Sequence, residues 1–296
     1  MDFKFPIPPG YETEPIWTGN GFLIGSDKLP VLQYTGCDAG WNASLTNFHE
    51  KEDEEGSHYI DRASRLHACN ELGIIHIKNT VILEIGSSSG YLLREIKKIF
   101  PESFLMGSDC IPEPLENIAK KNPDIPLIQF DLVNCPLPDK CIDIIVALNV
   151  LEHIKEDGNA LKQINRILKP GGYAIIEVPA NQDLYDYYDE QLKHFRRYSL
   201  QELKMLTENA GFTVIHASHL GFFIYPGFRF MKLLNKQKKN MNEVQKQNSM
   251  KKMIQLGGPV FNNALFLLMK TELVLGNFFQ YPTGIRCLLL LKKEKE

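Results

Sequence analysis

Residues Val81–Gly90 read VILEIGSSSG, and this stretch decides the fold. Val81, Ile82, Leu83 and Ile85 form an apolar run broken by one acid, Glu84, the pattern of a strand buried on both faces. The run ends in a turn with glycines at 86 and 90, and Tyr91–Phe100 (YLLREIKKIF) then has helical periodicity. A strand that stops in glycines and passes into a helix aims unpaired backbone N–H groups at whatever lies over the turn. Gly86 and Gly90 let another molecule approach that backbone closely. The spacing E-x-G-x-x-x-G departs from the dinucleotide fingerprint G-x-G-x-x-G, because Ser88 takes the middle position and no glycine stands at 91. At this point a nucleoside-type ligand and a plain tight turn are both open.

The next residues repeat the pattern. Ser103–Gly107 reads as a second short strand, and Asp109 follows 19 positions after Gly90, where an acid can accept both ribose hydroxyls of a nucleoside. A helix over Pro114–Lys121 leads to a third strand, Pro126–Phe130, that ends in Asp131, placed to accept a bond from an exocyclic adenine amine. A fourth strand, Ile142–Leu148, runs into Asn149–His153 (NVLEH). Each lone Asp also reads as a helix cap or solvated loop residue. Acids on successive strands, in register with a glycine turn, point instead to the carboxyl edge of an open α/β sheet, where ligands bind.

These motifs resemble those of class I S-adenosylmethionine-dependent methyltransferases of the small-molecule type. ILEIGSSSG matches the first cofactor motif, GSDC (Gly107–Cys110) the ribose motif and QFDL (Gln129–Leu132) the adenine motif. LPDKCIDIIVALNVLEHI (Leu137–Ile154) matches the segment around the fourth strand, and LKPGG (Leu168–Gly172) the turn before the fifth. The resemblance covers roughly residues 74–218 plus the C-terminal strand. It implies a seven-stranded Rossmann-like sheet of order 3-2-1-4-5-7-6 with the last strand antiparallel. It also implies S-adenosyl-L-methionine as cofactor, held by Glu84, Gly86, Ser87, Ser88, Gly90, Asp109, Cys110, Asp131, Leu132, Asn149 and Val150.

Composition agrees with one enzyme domain carrying additions. The chain has 296 residues, 44% of them hydrophobic, enough for a sizeable core. A net charge of −3 offers no global attraction for nucleic acid. The six cysteines (37, 69, 110, 135, 141 and 287) form no C-x-x-C pair, as in a reducing compartment. No secretory leader or membrane-spanning stretch is expected, which makes the cytoplasm the expected location.

The expected organisation is an N-terminal extension over 1–73, a core over 74–220 plus 281–296, and a helical insertion over 221–280. In the extension, His49–Gly56 (HEKEDEEG) reads as a solvated loop, and Ser57–Gly73 as a helix capped by Gly73 that lies across the cofactor in related enzymes. Ser199–Glu202 (SLQE) is a capping box, Phe212–Ser218 the sixth strand and Ile285–Leu291 the last. The insertion holds eight Lys or Arg and one Glu between Arg229 and Lys252, then an apolar helix over Phe261–Phe279. It reads as a lid, a homodimer contact or a peripheral contact with anionic membrane.

For a hydroxyl acceptor the protein must supply a base, and His153, just past the fourth strand, is the first candidate. His194, Arg196, Arg197 and Tyr198 follow the fifth strand, on the acceptor side of such folds. The two arginines either clamp an anionic small-molecule acceptor or pair with Asp186, Asp189 and Glu190. Tyr188, with Tyr185 and Tyr187, is a candidate pocket wall. No recognisable metal-ligand motif is present. Two other classes stay open. A nicotinamide-dependent oxidoreductase would share the turn and Asp109, and a non-catalytic relative would bind partners through the insertion.

Overall fold

The computed structural model describes residues 3–35, 58–75, 78–236, 245, 258–276, 278 and 280–295. The acidic run at 49–56 and most of the basic run at 229–252 lie outside the described residues.

The N-terminal segment forms a three-stranded antiparallel sheet, β1 (Ile16–Trp17), β2 (Phe22–Ile24) and β3 (Asp27–Leu29). The next strand, β4 (Leu32–Gln33), leaves it and pairs in parallel with the edge of the main sheet. Helix α1 (Tyr59–Ile75) runs two residues past the expected Gly73 cap.

The core alternates strand and helix: β5 (Val81–Ile85), α2 (Tyr91–Ile99), β6 (Phe104–Asp109), α3 (Pro112–Lys121), β7 (Leu127–Gln129), β8 (Ile142–Leu148) and α4 (Asp157–Ile167). Then follow β9 (Leu168–Pro179), the short α5 (Tyr187–Gln191), α6 (Leu200–Asn209) and β10 (Phe212–Leu220). The insertion supplies α7 (Tyr225–Lys236) and α8 (Gly258–Gly276) before β11 (Arg286–Lys293).

The sheet has eight strands in the order β10-β11-β9-β8-β5-β6-β7-β4. The seven core strands keep the expected order, with β11 antiparallel to both neighbours. The eighth, β4, was not expected. Two residues are too few to show a period. The LKPGG segment also differs: it lies inside β9, because a register shift between Ile142 and Ile144 lets the strand begin at Leu168.

Every residue of β5 is buried, as a central parallel strand requires. Leu92, Leu93 and Ile96 of α2 pack on one face of the sheet with Leu115 and Ile118 of α3. Leu161 and Ile164 of α4 and Leu203 of α6 pack on the other. Each such side chain contributes about 1.5–3 kcal/mol by leaving water. The capping box of α6 is present, with Ser199 Oγ accepting from Glu202 N at 3.1 Å and Glu202 accepting from Ser199 N at 3.0 Å.

The insertion is tied to the core through α1. Asn262 accepts from Tyr59 N at 2.9 Å, and the Arg62 guanidinium lies 3.7 Å from the Phe266 ring centre. Buried Glu272 accepts from the Gly221 and Phe223 amides at 2.6 and 3.1 Å, which fixes where the chain leaves β10. A large part of α7 and α8 stays exposed, including Phe230 (63%), Val260 (85%) and Leu267 (64%).

Candidate functional site

The site lies at the carboxyl edge of β5, β6, β8 and β9. The turn after β5 uses left-handed backbone at Gly86 (φ 78°), Ser88 (φ 42°) and Gly90 (φ 70°). Glycine makes that conformation cheap, and Ser88 adopts it at a cost. The turn is closed by the next strand: the Gly86 and Ser87 amides donate to the Ser108 carbonyl at 2.8 and 2.9 Å. Asp109 Oδ2 accepts from Ser88 N at 3.1 Å, and its Oδ1 accepts from Ile111 N at 3.1 Å.

Gly86 also serves the fold, since a Cβ there would fall 2.6 Å from Val150 Cγ2 in the turn after β8. Gly90 likewise packs against Ile118. The contact puts Asn149 and Val150 beside the glycine turn.

Glu84 is buried at the base of that turn, its Oε2 has no partner, and burial raises its pKa. Asn149, with φ 55°, also leaves its buried Oδ1 without a partner while its Nδ2 donates to Glu177 at 3.3 Å. Unmatched buried acceptors at the mouth of a sheet suit a ligand that brings donors, an ammonium and hydroxyls among them. Asp131 is the helix cap that its sequence also allowed: its two oxygens accept from Val133 N (3.0 Å) and Asn134 Nδ2 (2.7 Å). Leu132 has its side chain in the core, and the Cys110 carbonyl accepts from Gln129 Nε2 at 2.9 Å.

After β8 and β9, His153 and His194 meet edge to face with ring centroids 4.6 Å apart. Burial pushes His153 down to about 3 and also lowers His194, so both rings are neutral near pH 7. Asp189 stands 3.0 Å from His194 Nδ1 and holds that nitrogen as the donor, leaving Nε2 as acceptor. Glu152, with a carboxyl oxygen within 4.8 Å of a ring nitrogen of each histidine, is wholly buried with both carboxyl oxygens unpaired. Burial, reinforced by Glu177, pushes it up to about 8 against the pull of Arg286.

The arginines face inward. Arg197 is buried and donates to Asp189 Oδ1 at 2.8 Å and to the Ala180 carbonyl at 3.2 Å. Arg196 bonds Asp157 at 2.6 Å and the Lys155 carbonyl at 2.8 Å. Tyr198 is buried with its hydroxyl 2.9 Å from Asp157. Of the two arrangements open in the sequence, the geometry is that of carboxylate pairing, with Asp157 and Asp189 as partners. Tyr188 has the Lys232 ammonium 5.5 Å from its ring centre, so it belongs to the join between loop and insertion.

Glu152, Glu177 and Arg286 were not singled out from sequence. Glu152 stood in plain view in NVLEH. Glu177 is on β9, where it accepts from Ser64 at 2.6 Å and lies 3.6 Å from Arg286. Alternation inside an apolar strand flags it only weakly.

Comparison with known proteins agrees with this geometry. The family model of the methyltransferase domain matches residues 48–217. An uncharacterized methyltransferase of Bacillus subtilis, YdaC, is 31% identical over 46% of this chain and 74% of its own length. A protein of Mycolicibacterium smegmatis described as a probable S-adenosylmethionine-dependent methyltransferase is 27% identical over 45% of this chain, which spans only 52% of that relative. Among solved structures, YcgJ of Bacillus subtilis superposes with TM-score 0.51 at 14% identity, covering 78% of this chain and 98% of its own. At that identity the likeness speaks for the fold alone.

Proposed function

This chain belongs to the methyltransferase-domain family, and on that premise we propose that it transfers a methyl group from S-adenosyl-L-methionine to a hydroxyl of a small-molecule acceptor. The observation that carries the reading is the pairing of half-buried His153 with buried His194, together with Glu152 and the turn that Asp109 closes. The cofactor brings an activated methyl on a sulfonium, so the protein's tasks are placement and proton removal.

Asp109 has the lone pairs to take ribose hydroxyls, and Glu84 and Asn149 offer buried acceptors to an ammonium. The inward-facing loop 185–198 forms the wall of the acceptor space, and its ion pairs hold that wall in place. The acceptor's proton has to leave as the methyl arrives. A neutral imidazole of the His153–His194 pair accepts it, and Asp189 stabilises the cation through His194 Nδ1. Glu152, pushed up to about 8 by burial, holds its proton at neutral pH and so adds no negative charge beside the two imidazoles.

The acceptor class follows from what the wall presents. With Arg196 and Arg197 committed to carboxylates, an anionic group on the acceptor would have to be met elsewhere, and the sequence of the insertion is rich in lysine. Exposed apolar side chains of α7 and α8, joined in sequence by a lysine-rich stretch, favour an anionic membrane surface as a contact and a lipid-linked acceptor among hydroxyl compounds. A lid or dimer contact is the outcome if vesicles are not bound. No helix among the described residues is long and apolar enough to cross a membrane.

The test is turnover against sugar nucleotides, polyprenyl-linked sugars and phenolic acids, read as S-adenosylhomocysteine release. Release with a hydroxyl compound supports the reading. Cofactor binding with no turnover on any of them, but with turnover on amines, would replace the hydroxyl acceptor.

A further inference from the structure

Away from this site, α1 and β10 enclose a second group of polar side chains. His67 and Glu71 are one helical turn apart on α1 and so share a face. Glu71 Oε1 lies 3.3 Å from His67 Nε2 and 2.7 Å from His216 Nδ1 on β10. One ligand atom from each of the three falls within 4.8 Å of the others. His67 and Glu71 are buried to 6% and 3% exposure, and two of their polar atoms, His67 Nδ1 and Glu71 Oε2, have no partner.

We propose that His67, Glu71 and His216 form a transition-metal site of the Zn²⁺ type that clamps helix α1 to strand β10. Bonds of about 2.0–2.2 Å in a tetrahedron place ligand atoms about 3.3–3.6 Å apart, the spacing already present between Glu71 and His67, while Glu71 and His216 would part by under about 1 Å to admit the ion. Two imidazoles and one carboxylate suit Zn²⁺, whereas Mg²⁺ and Ca²⁺ prefer oxygen-only sets. The three residues adjoin a cavity of about 40 Å³ lined also by Ser218 and His219. A water needs about 10–15 Å³, so the open coordination position has room for one. His219 Nδ1 donates to the Tyr281 carbonyl at 2.9 Å, which leaves its Nε2 unprotonated.

The site would have a structural consequence for the carboxyl edge. Ser64 lies one turn before His67 on α1 and donates to Glu177 at 2.6 Å. A metal that fixes α1 therefore fixes Ser64 and Glu177 as well. A plain Glu71–histidine ion pair would bring the same residues together, but it would not bind a metal.

The experiment uses the tag-free, full-length protein stripped with EDTA. Co²⁺ is added while visible ligand-field bands are recorded, and Zn²⁺ is then used as competitor. The expected result is one Co²⁺ per chain, displaced by Zn²⁺, and a Zn²⁺-dependent rise in thermal midpoint. Glu71→Gln and His216→Ala should each weaken binding by more than the roughly 10- to 100-fold that loss of an outer-shell partner costs. Circular dichroism checks that each variant folds. His216 is half-exposed, so H216A carries the comparison if E71Q does not fold. Absence of saturable binding in the unaltered protein, or binding of equal strength in either folded variant, would overturn the site.

Discussion

Lys232, on the first helix of the insertion, places its ammonium 2.9 Å from Asp189 in the loop after β9. The same ammonium lies 2.7 Å from Asp186, and Asp189 also receives Arg197 and His194. All of these side chains are buried. Buried charges held this way form one unit. Removing a single partner leaves an uncompensated charge, at a cost of about 3–5 kcal/mol.

Lys232→Met should therefore lower stability by roughly 3–5 kcal/mol, and Arg197→Ala by a similar amount. The double variant should lose less than the sum, because both cations serve Asp189. Urea unfolding of the four proteins checks this. If R197A keeps its stability but raises the acceptor KM tenfold or more, Arg197 serves the acceptor instead.

His194→Asn should reduce kcat by about 10²-fold or more while S-adenosylhomocysteine affinity stays unchanged, since general-base assistance is typically worth 10²–10⁴, and it should also cost loop stability through Asp189. His153→Asn should have a smaller effect, because burial pushes that ring down to about 3 and leaves it the weaker base. An unchanged kcat in H194N would remove the base from this position.

Glu152 sets a pH signature. Its folded carboxyl titrates at about 8 because of burial, against an ordinary value of 4.5. Between those values the unfolded chain binds fewer protons than the folded one, so this group's contribution is present below about 4.5 and is lost as pH rises toward 8. Glu152→Gln removes that slope. Its thermal midpoint should match the parent near the acid end of the window and exceed it at the alkaline end. A constant difference between the two proteins across that range would contradict the burial account.

The exposed apolar side chains of α7 and α8 lead to a vesicle test. Co-sedimentation with vesicles containing anionic lipid should weaken with salt and be lost when Lys236, Lys238 and Lys239 become Ser, at about 1 kcal/mol per lysine that reaches the surface. If the protein stays in the supernatant at low salt and elutes as a dimer, the same face is a contact between copies.

Much of the fold is legible in the sequence because burial writes itself as periodicity. VILEI reads as a central strand, Asp109 marks the end of β6, and Asp131 follows two residues after the end of β7. β4 leaves no such trace at two residues long. The glycine turn after β5 is legible for the same local reason, since its residues are neighbours in sequence. The cluster around His153 and His194 is not. Glu152, Glu177 and Arg286 meet only because β8, β9 and β11 are adjacent in the sheet. The double arginine fits a clamp and a buried pair equally well as a string, and Asp157 and Asp189 become its partners only in three dimensions.

The central claim is that the carboxyl edge beside Asp109 holds S-adenosyl-L-methionine. Titration calorimetry with S-adenosylhomocysteine, run on the parent protein and on Asp109→Ala, tests it most directly. Loss of a charge-assisted pair of hydroxyl bonds costs ~2–3 kcal/mol, so the variant should bind roughly 30- to 150-fold more weakly, with NADH giving no heat to either protein. Undiminished affinity in D109A would misplace the cofactor. No heat with S-adenosylhomocysteine in the parent protein would contradict the account itself.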